Sequence, residues 1–133
     1  IISGAIGYAG KDARIGTIGW CFGGGWSLQA ALMAREQAKA CVVYYGMPES
    51  NPDKLVDLSA PVLGIFADKD AWITPEVVKN FSEAMKKAGK ELTLKTYDAD
   101  HAFANPSNPQ YDKTSTEDAY SHAVAFFESI FLK

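Results

Sequence analysis

Short apolar runs alternate with longer amphipathic segments along this 133-residue sequence, and no other feature restricts its possible folds so strongly. The apolar runs predict strands, in chain order, at residues 14–21, 40–45, 61–67 and 91–97. The amphipathic segments predict helices at residues 26–37, 74–88 and 116–132, a short helix within 51–59 and the end of a helix at 1–10. Strands that alternate with helices form βαβ units, so we expect an α/β fold with a parallel sheet, as one domain over residues 1–133.

Two of the predicted strands have patterns that indicate their place in the sheet. The run 61–67, PVLGIFA, is apolar without alternation, which is typical of a strand covered on both faces. The run 91–97 alternates and therefore suits a position nearer the sheet edge. The helix between them is predicted to begin with Thr74 as its cap, to carry Pro75 in its first turn and to end at Gly89.

Composition and charge argue against several classes of partner. The formal net charge is −3 and no basic run is present, which argues against nucleic acid or an anionic membrane as the partner. No apolar stretch reaches the roughly 20 residues that span a bilayer, and the N-terminus shows no signal peptide. Cys21 and Cys41 lie in or beside predicted buried strands, which predicts reduced thiols and a cytoplasmic protein. No cysteine and histidine cluster has the spacing of a metal site, so no metal is expected.

The segment Gly19-Trp20-Cys21-Phe22-Gly23 stands where the first predicted strand turns toward a helix. A nucleophile at such a tight turn needs small residues two positions before and after it, because larger side chains would collide. The helix dipole and free backbone N–H groups would favour a thiolate at Cys21, and the Phe22 N–H would donate to an oxyanion. The alternative is that Cys21 is a small buried hydrophobic residue beside a glycine-rich turn.

A carboxylate and a histidine follow two later strands. Asp68 and Asp70 come directly after the third predicted strand, and His101 follows the fourth. A carboxylate can hold the tautomer of a histidine, and the histidine can act as base and then as acid. Taken singly, these residues also fit a solvated turn and a loop histidine without a role, and His122 lies within the last predicted helix. The order nucleophile, acid, histidine, each after its own strand, is that of α/β-hydrolases and predicts a catalytic triad.

Three segments of the sequence, GWCFGGGWSLQAAL, FADKDAWITPE and YDADHAFAN, closely resemble the nucleophile, acid and histidine blocks of the dienelactone hydrolase family. The resemblance extends over essentially the whole chain from about Ile6. It implies an α/β-hydrolase fold, with Cys21 as the nucleophile, Asp70 as the acid and His101 as the histidine. Asp70 rather than Asp68 matches the family pattern because it precedes the aromatic and β-branched stretch Ala71-Trp72-Ile73. Members of this family hydrolyse small esters and lactones without a cofactor.

The sequence departs from the family pattern in two places. The family enzymes that open dienelactone carry an arginine soon after the histidine, whereas residues 102–105 here contain no cation, which argues against dienelactone itself as the substrate. The N-terminal half of the family fold is also absent, and with it four strands, the second oxyanion donor and a carboxylate associated with activation of the cysteine. We therefore expect a truncated sheet of about four strands. Strand 14–21 would be an exposed apolar edge, completed by a separate chain or by self-association.

The predicted function is hydrolysis of small carboxylic esters or lactones through the triad and a thioester intermediate. Five aromatic residues are expected either to line an apolar substrate pocket or to pack in the core: Trp20, Phe22, Tyr45, Trp72 and Phe103. Two alternatives remain open. The first alternative to this function is a non-catalytic fragment that needs a partner. The second is a redox protein built on Cys21 and Cys41. The redox alternative is weak because the two cysteines are far apart in sequence and form no C-x-x-C motif.

Overall fold

Four parallel strands form a single sheet in the order β1-β2-β3-β4, so each strand pairs with its neighbour in the chain. The computed structural model describes residues 1–133, and the strands are β1 (Ile15–Trp20), β2 (Ala38–Tyr44), β3 (Val62–Ala67) and β4 (Leu92–Tyr97). All four predicted strands are confirmed, as is the predicted α/β class with a parallel sheet. Parallel pairing places the carboxyl ends of the strands at one edge, which is where side chains from successive loops can meet.

Helices cover the two faces of the sheet unequally. They are α1 (Ile2–Ala9), α2 (Phe22–Ala34), which continues as a 3₁₀ turn (Arg35–Gln37), α3 (Pro52–Leu55), α4 (Pro75–Lys87) and α5 (Lys113–Phe131). Leu28 of α2, Leu55 of α3 and Phe81 of α4 pack in one core cluster. Ala119 and Ala123 of α5 belong to a second cluster. Most of the helices therefore share one face, and α5 alone crosses the other.

The helix α4 shows how closely local signals set its ends. The Thr74 hydroxyl accepts a hydrogen bond from the Val77 N–H at 3.3 Å, as the predicted cap requires. After the helix, Gly89 adopts a φ of 70°, and the next N–H, of Lys90, donates to Met85 O at 2.9 Å. A positive φ suits glycine best, so the predicted end of this helix is confirmed.

The helix α2 begins at Phe22, four residues before the predicted start at Trp26, and its first turn contains three glycines. Helix propensity disfavours glycine by roughly 1 kcal/mol, so the sequence alone indicates a loop here. Close packing of α2 against the end of β2 explains the difference. A Cβ on Gly24 would lie 2.6 Å from Tyr44 O, and one on Gly25 would lie 2.8 Å from Met47 O. The glycines therefore let the helix approach the sheet.

The helix α5 begins at Lys113, three residues before the predicted start. The reason is a cap: the Asp112 carboxylate accepts a hydrogen bond from the Ser115 N–H at 2.7 Å. With 19 residues it is the longest helix, yet neither it nor any other helix has the length and hydropathy needed to cross a membrane.

The strand β1 forms an exposed edge of the sheet, as predicted. Every residue of the inner strand β3 is buried, and all but one residue of β2, the neighbour of β1, are buried too. By contrast, Ile18 and Trp20 of β1 are 42% and 47% exposed. An uncovered apolar edge strand offers free backbone hydrogen-bonding groups to another strand.

Candidate active site

The backbone at Cys21 makes a sharp bend between β1 and α2. Cys21 adopts φ 54° and ψ −124°, and its N–H donates to Tyr44 O at 3.0 Å. For a residue other than glycine such a conformation costs about 1–3 kcal/mol and persists only where the surroundings enforce it. Gly19 permits the bend, because a Cβ at that position would overlap the backbone carbonyl of Gly23. This strained strand-to-helix turn is the geometry of a nucleophile elbow.

The glycine after the cysteine has a different role from the one before it. A Cβ built on Gly23 would meet no atom within 4 Å. The expectation that small side chains are needed on both sides of Cys21 therefore holds for Gly19 and not for Gly23 in this structure. The physical reason is that the backbone of Gly23, rather than its missing side chain, fills the space beside Gly19.

The electrostatic surroundings of Cys21 oppose ionisation. Partial burial raises the pKa of the Cys21 thiol above its ordinary value of 9.0, and the negative charge of Asp70 raises it further. This contradicts the expected thiolate. A helix N-terminus typically stabilises a negative charge by only about 0.3–1 kcal/mol, whereas desolvation and the nearby carboxylate of Asp70 both favour the uncharged thiol. The thiol is therefore neutral at pH 7.

The carboxylate of Asp70 is buried and held by three hydrogen bonds. Its Oδ1 accepts from the backbone N–H groups of Trp72 at 2.8 Å and of Ile73 at 2.9 Å. Its Oδ2 lies 2.5 Å from His101 Nδ1. Asp68 is exposed and only its backbone N–H is used, which donates to Tyr97 O at 2.9 Å. The structure thus pairs the histidine with Asp70 and not with Asp68.

The imidazole of His101 is oriented by this carboxylate and by two aromatic rings. Because Asp70 accepts at Nδ1, that nitrogen carries the proton, and Nε2 is left free to accept one. The ring lies 5.2 Å from the Tyr45 ring and 5.3 Å, edge to face, from that of Trp72. The His101 side chain is 22% exposed. This arrangement can serve a general base.

A cavity of about 380 Å³, called the elbow cavity below, contains both Cys21 and His101. Its lining is mainly hydrophobic and consists of Cys21, Phe22, Gly25, Trp26, Gln29, Tyr45, Met47, Trp72, Ile73 and His101. No hydrogen bond joins Cys21 Sγ to the His101 ring, whose hydrogen bond is the one to Asp70. The three residues predicted as a triad are thus gathered at one end of the sheet, with the cysteine and histidine facing a common space.

Of the predicted pocket residues, Phe22, Tyr45 and Trp72 line the elbow cavity, whereas Trp20 and Phe103 do not. Side chains alternate along β1, so Trp20 points to the α5 face of the sheet, where its ring stacks on Tyr44 at 5.1 Å. Phe103 is fully buried, with its ring 5.4 Å from that of Tyr45. Phe103 therefore follows the core-packing alternative, whereas Trp20, which is 47% exposed, neither lines the elbow cavity nor is buried in the core.

Several lining residues were not predicted from the sequence, among them Trp26, Gln29 and Met47. A helical period would have indicated two of them. Once α2 starts at Phe22, positions 22, 26 and 29 fall on one face of the helix. Met47 lies in the loop after β2, where no periodicity applies.

Other candidate residues lie outside this site. Both cysteines are free, and Cys41 is buried in β2 with its sulfur 3.6 Å from Ser27 Oγ. His122 lies on α5, where its Nε2 is 3.4 Å from Asp118 Oδ2. No group of three or more histidine, cysteine or acidic side chains is arranged to hold a metal ion.

Comparison with known proteins finds one family that matches nearly the whole chain. The model of the dienelactone hydrolase family matches residues 6–131. A Salmonella typhi protein named "Putative carboxymethylenebutenolidase" is 32% identical over 131 residues, which cover 89% of this chain and 47% of that protein. A Yersinia pestis protein with the same name is 29% identical over 132 residues, 90% of this chain and 48% of its own.

Solved structures show the same fold. The crystal structure of a "Putative Dienelactone Hydrolase" from Klebsiella pneumoniae is 31% identical, with a TM-score of 0.81, and the match covers 95% of this chain and 56% of that one. A dienelactone hydrolase-like promiscuous phosphotriesterase from metagenomic libraries has a TM-score of 0.82 at 19% identity, over 97% and 59% of the two chains. The chain spans about half the length of the curated relatives it matches.

Proposed function

Because this chain belongs to the dienelactone hydrolase family, we propose that it carries the catalytic residues of a hydrolase acting on small carboxylic esters or lactones. Cys21 is the nucleophile, His101 the base and Asp70 the residue that orients it. The observation that carries this assignment is the Asp70–His101 hydrogen bond of 2.5 Å at the wall of the cavity that also contains Cys21. A histidine held by a buried carboxylate beside a cysteine at an elbow is the arrangement of a nucleophilic catalyst.

Because the Cys21 thiol is neutral, it must lose its proton as it attacks the substrate in the first step. As Cys21 Sγ attacks the carbonyl carbon, its proton passes to His101 Nε2, and the carbonyl π electrons move to oxygen. Collapse of the tetrahedral intermediate breaks the bond to the alcohol oxygen, which takes the proton from His101. A thioester on Cys21 remains. Since Sγ and the imidazole are not hydrogen-bonded in this structure, substrate binding must bring them together, as is common in enzymes.

Hydrolysis of the thioester repeats the same proton movements. Water attacks the thioester carbon and gives one proton to His101 Nε2. The intermediate then releases the carboxylic acid, and the sulfur leaves with the proton from His101. In both steps the imidazole becomes positive, and the buried carboxylate of Asp70 stabilises that charge.

The oxyanion of each intermediate needs hydrogen-bond donors. Phe22 is the first residue of α2, where a backbone N–H has no acceptor within the helix, so it is available to the oxyanion. We expect a second donor from the part of the fold that the longer relatives contain and this chain does not span. Cofactors are not needed for this chemistry, and the cytoplasm stays the expected compartment because two free thiols are typical of it.

A second candidate is an incomplete hydrolase that becomes active only with another chain or after self-association. The exposed β1 edge, the raised pKa of Cys21 and the half-length match favour it. Additional strands on β1 would cover Ile18 and Trp20. Size-exclusion chromatography with light scattering tests self-association: we expect dimers or larger particles, and a stable particle with the mass of one chain would leave only a separate partner chain for this candidate.

The catalytic assignment is tested by Cys21→Ala, with Cys41→Ala as the matched control. On a panel of aryl esters and small lactones, we expect Cys21→Ala to lower kcat by at least about a thousandfold, because triad residues act as a unit. Cys41→Ala should keep the turnover number of the folded protein. Equal turnover of wild type and Cys21→Ala would refute the nucleophile, and wild-type inactivity on the whole panel would favour the incomplete hydrolase.

A further inference from the structure

A second cavity lies on the other side of His101. It measures about 290 Å³ and is called the polar cavity below. Its lining residues are Lys69, Ala71, Trp72, Asp100, His101, Asn108 and Gln110. Trp72 and His101 also line the elbow cavity, so the two spaces meet at the imidazole. In this shared part of the lining, the Trp72 ring lies 5.3 Å, edge to face, from the His101 ring.

The two cavities differ in chemistry. Seven of the ten residues that line the elbow cavity are hydrophobic, whereas most residues of the polar cavity carry hydrogen-bonding groups. Its cation, Lys69, is already paired, with Nζ 3.1 Å from Asp98 Oδ1. Asp100 adds a negative charge nearby. The polar cavity therefore suits an uncharged hydroxyl-bearing group better than an anion.

The loop that supplies two of these side chains is fixed by its own hydrogen bonds. Asn108 Oδ1 accepts from the Gln110 N–H at 2.8 Å, and the Asn108 N–H donates to Asn105 O at 3.0 Å. These bonds use backbone groups and one amide oxygen. The side-chain NH₂ of Asn108 and the whole side-chain amide of Gln110 have no partner within the chain. The Asn108 amide is held in place through its oxygen, so its NH₂ can bind a ligand without first breaking an internal bond, and the exposed Gln110 amide is also free to bind one.

We propose that the polar cavity binds the leaving alcohol of the ester, in the form of an uncharged polyol, while the elbow cavity binds an apolar acyl group. This rests on the proposed function, in which His101 Nε2 gives its proton to the departing alcohol oxygen. That oxygen must therefore lie beside the imidazole, and His101 is one of the residues that line the polar cavity. The substrate class that follows is a polyol ester of an apolar acid.

Two esters with one acyl group test the alcohol preference. We expect kcat/KM for glyceryl monobutyrate to exceed that for ethyl butyrate, and the double variant Asn108→Ala/Gln110→Ala to lower this ratio about tenfold, as expected for the loss of two neutral hydrogen bonds. The matched control is Asn80→Ala, at an exposed position of α4 outside both cavities, which should keep the ratio. A ratio that the double variant leaves unchanged would overturn the proposal.

Binding of glycerol alone separates this proposal from the catalytic one. In ¹H–¹⁵N spectra of the wild-type chain, we expect saturable shifts of the Asn108 and Gln110 side-chain amides as glycerol is added. Shifts without turnover of either ester would retain the polyol site and refute catalysis by this chain alone. Turnover of both esters without saturable shifts would do the reverse.

Discussion

The two cysteines of this chain show how the same side chain acquires different chemistry from its position in one sheet. Cys21 follows the last residue of β1, with a φ of 54° and partial exposure to the elbow cavity. Cys41 lies within β2, fully buried and in contact with Ser27. Burial raises the pKa of both thiols, so acidity does not distinguish them. What distinguishes them is access, together with a histidine that faces only one.

The comparison indicates that the backbone bend at Cys21, rather than the pKa of its thiol, distinguishes this cysteine as the reactive one. Cys21 is presented to a cavity because Gly19 lets the chain fold back sharply before α2. Cys41 sits in regular strand geometry between two covered faces, where no reactant can approach it. The following experiments test this difference, in order of decreasing expected effect.

The largest effect is expected from Asp70→Asn, which removes the carboxylate that orients His101 and leaves the Cys21 side chain unchanged. An amide at this position would favour the wrong tautomer of His101, and comparable changes lower kcat by about 10⁴-fold. Asp68→Asn is the control, since that side chain is exposed and unpaired with the histidine. Steady-state kinetics on one aryl ester measures both, and equal activities of the two variants would refute the orienting role.

Gly19→Ala should destabilise the bend at Cys21, whereas Gly23→Ala should not. The new Cβ at Gly19 would collide with backbone, which costs roughly 3 kcal/mol or more because backbone cannot move aside easily. At Gly23 the space is open and the residue is helical, so alanine should stabilise the fold by about 0.5–1 kcal/mol. Urea unfolding monitored by circular dichroism gives both values, and similar midpoints for the two variants would contradict the asymmetry.

Cys41→Ala is expected to lower the free energy of unfolding by about 1–2 kcal/mol, since it leaves a small void in a packed core. The same substitution at Cys21 should change stability by less, because that side chain is partly exposed and strained. Thermal unfolding of the two variants side by side provides the test. A larger stability loss at Cys21 would show that its role is structural.

The smallest effect concerns the pH dependence of thiol labelling. Because the pKa of Cys21 is raised, its thiolate fraction at pH 8 is below that of a free cysteine, and alkylation should still accelerate above pH 9. Asp70→Asn removes one of the two causes and should shift the midpoint to lower pH. Cys41 should stay unlabelled until the chain unfolds. Mass spectrometry of the labelled peptides measures all three, and a Cys21 midpoint below 8 would contradict the structure.

Much of the architecture follows from local patterns in the sequence. Uninterrupted apolar runs predict β2 and β3, which are buried on both faces. The cap at Thr74 and the glycine at position 89 mark the two ends of α4. Cys21, Asp70 and His101 follow β1, β3 and β4, and this placement also predicts that they meet, because parallel strands end at a common edge. The apolar composition of β1 together with the family resemblance predicts its exposed edge.

The predictions from local sequence are wrong where a helix start, a charge state or a side chain's packing depends on residues far away in the chain. Glycine propensity places the start of α2 too late, since the close approach to Tyr44 and Met47 cannot be seen locally. The expected thiolate follows from the helix terminus alone, whereas the opposing charge comes from Asp70, 49 positions away in the sequence. Likewise Phe103 is two residues from His101 yet packs in the core beneath Tyr45.

The sequence by itself determines which elements form and which chemical groups stand at the ends of the strands, because periodicity, caps and turn residues act over a few neighbours. Only the tertiary structure decides that the surroundings of the Cys21 thiol oppose its ionisation and that two unlike cavities share His101 in their lining. These properties depend on distances and desolvation among residues far apart in the chain, and no local pattern contains them.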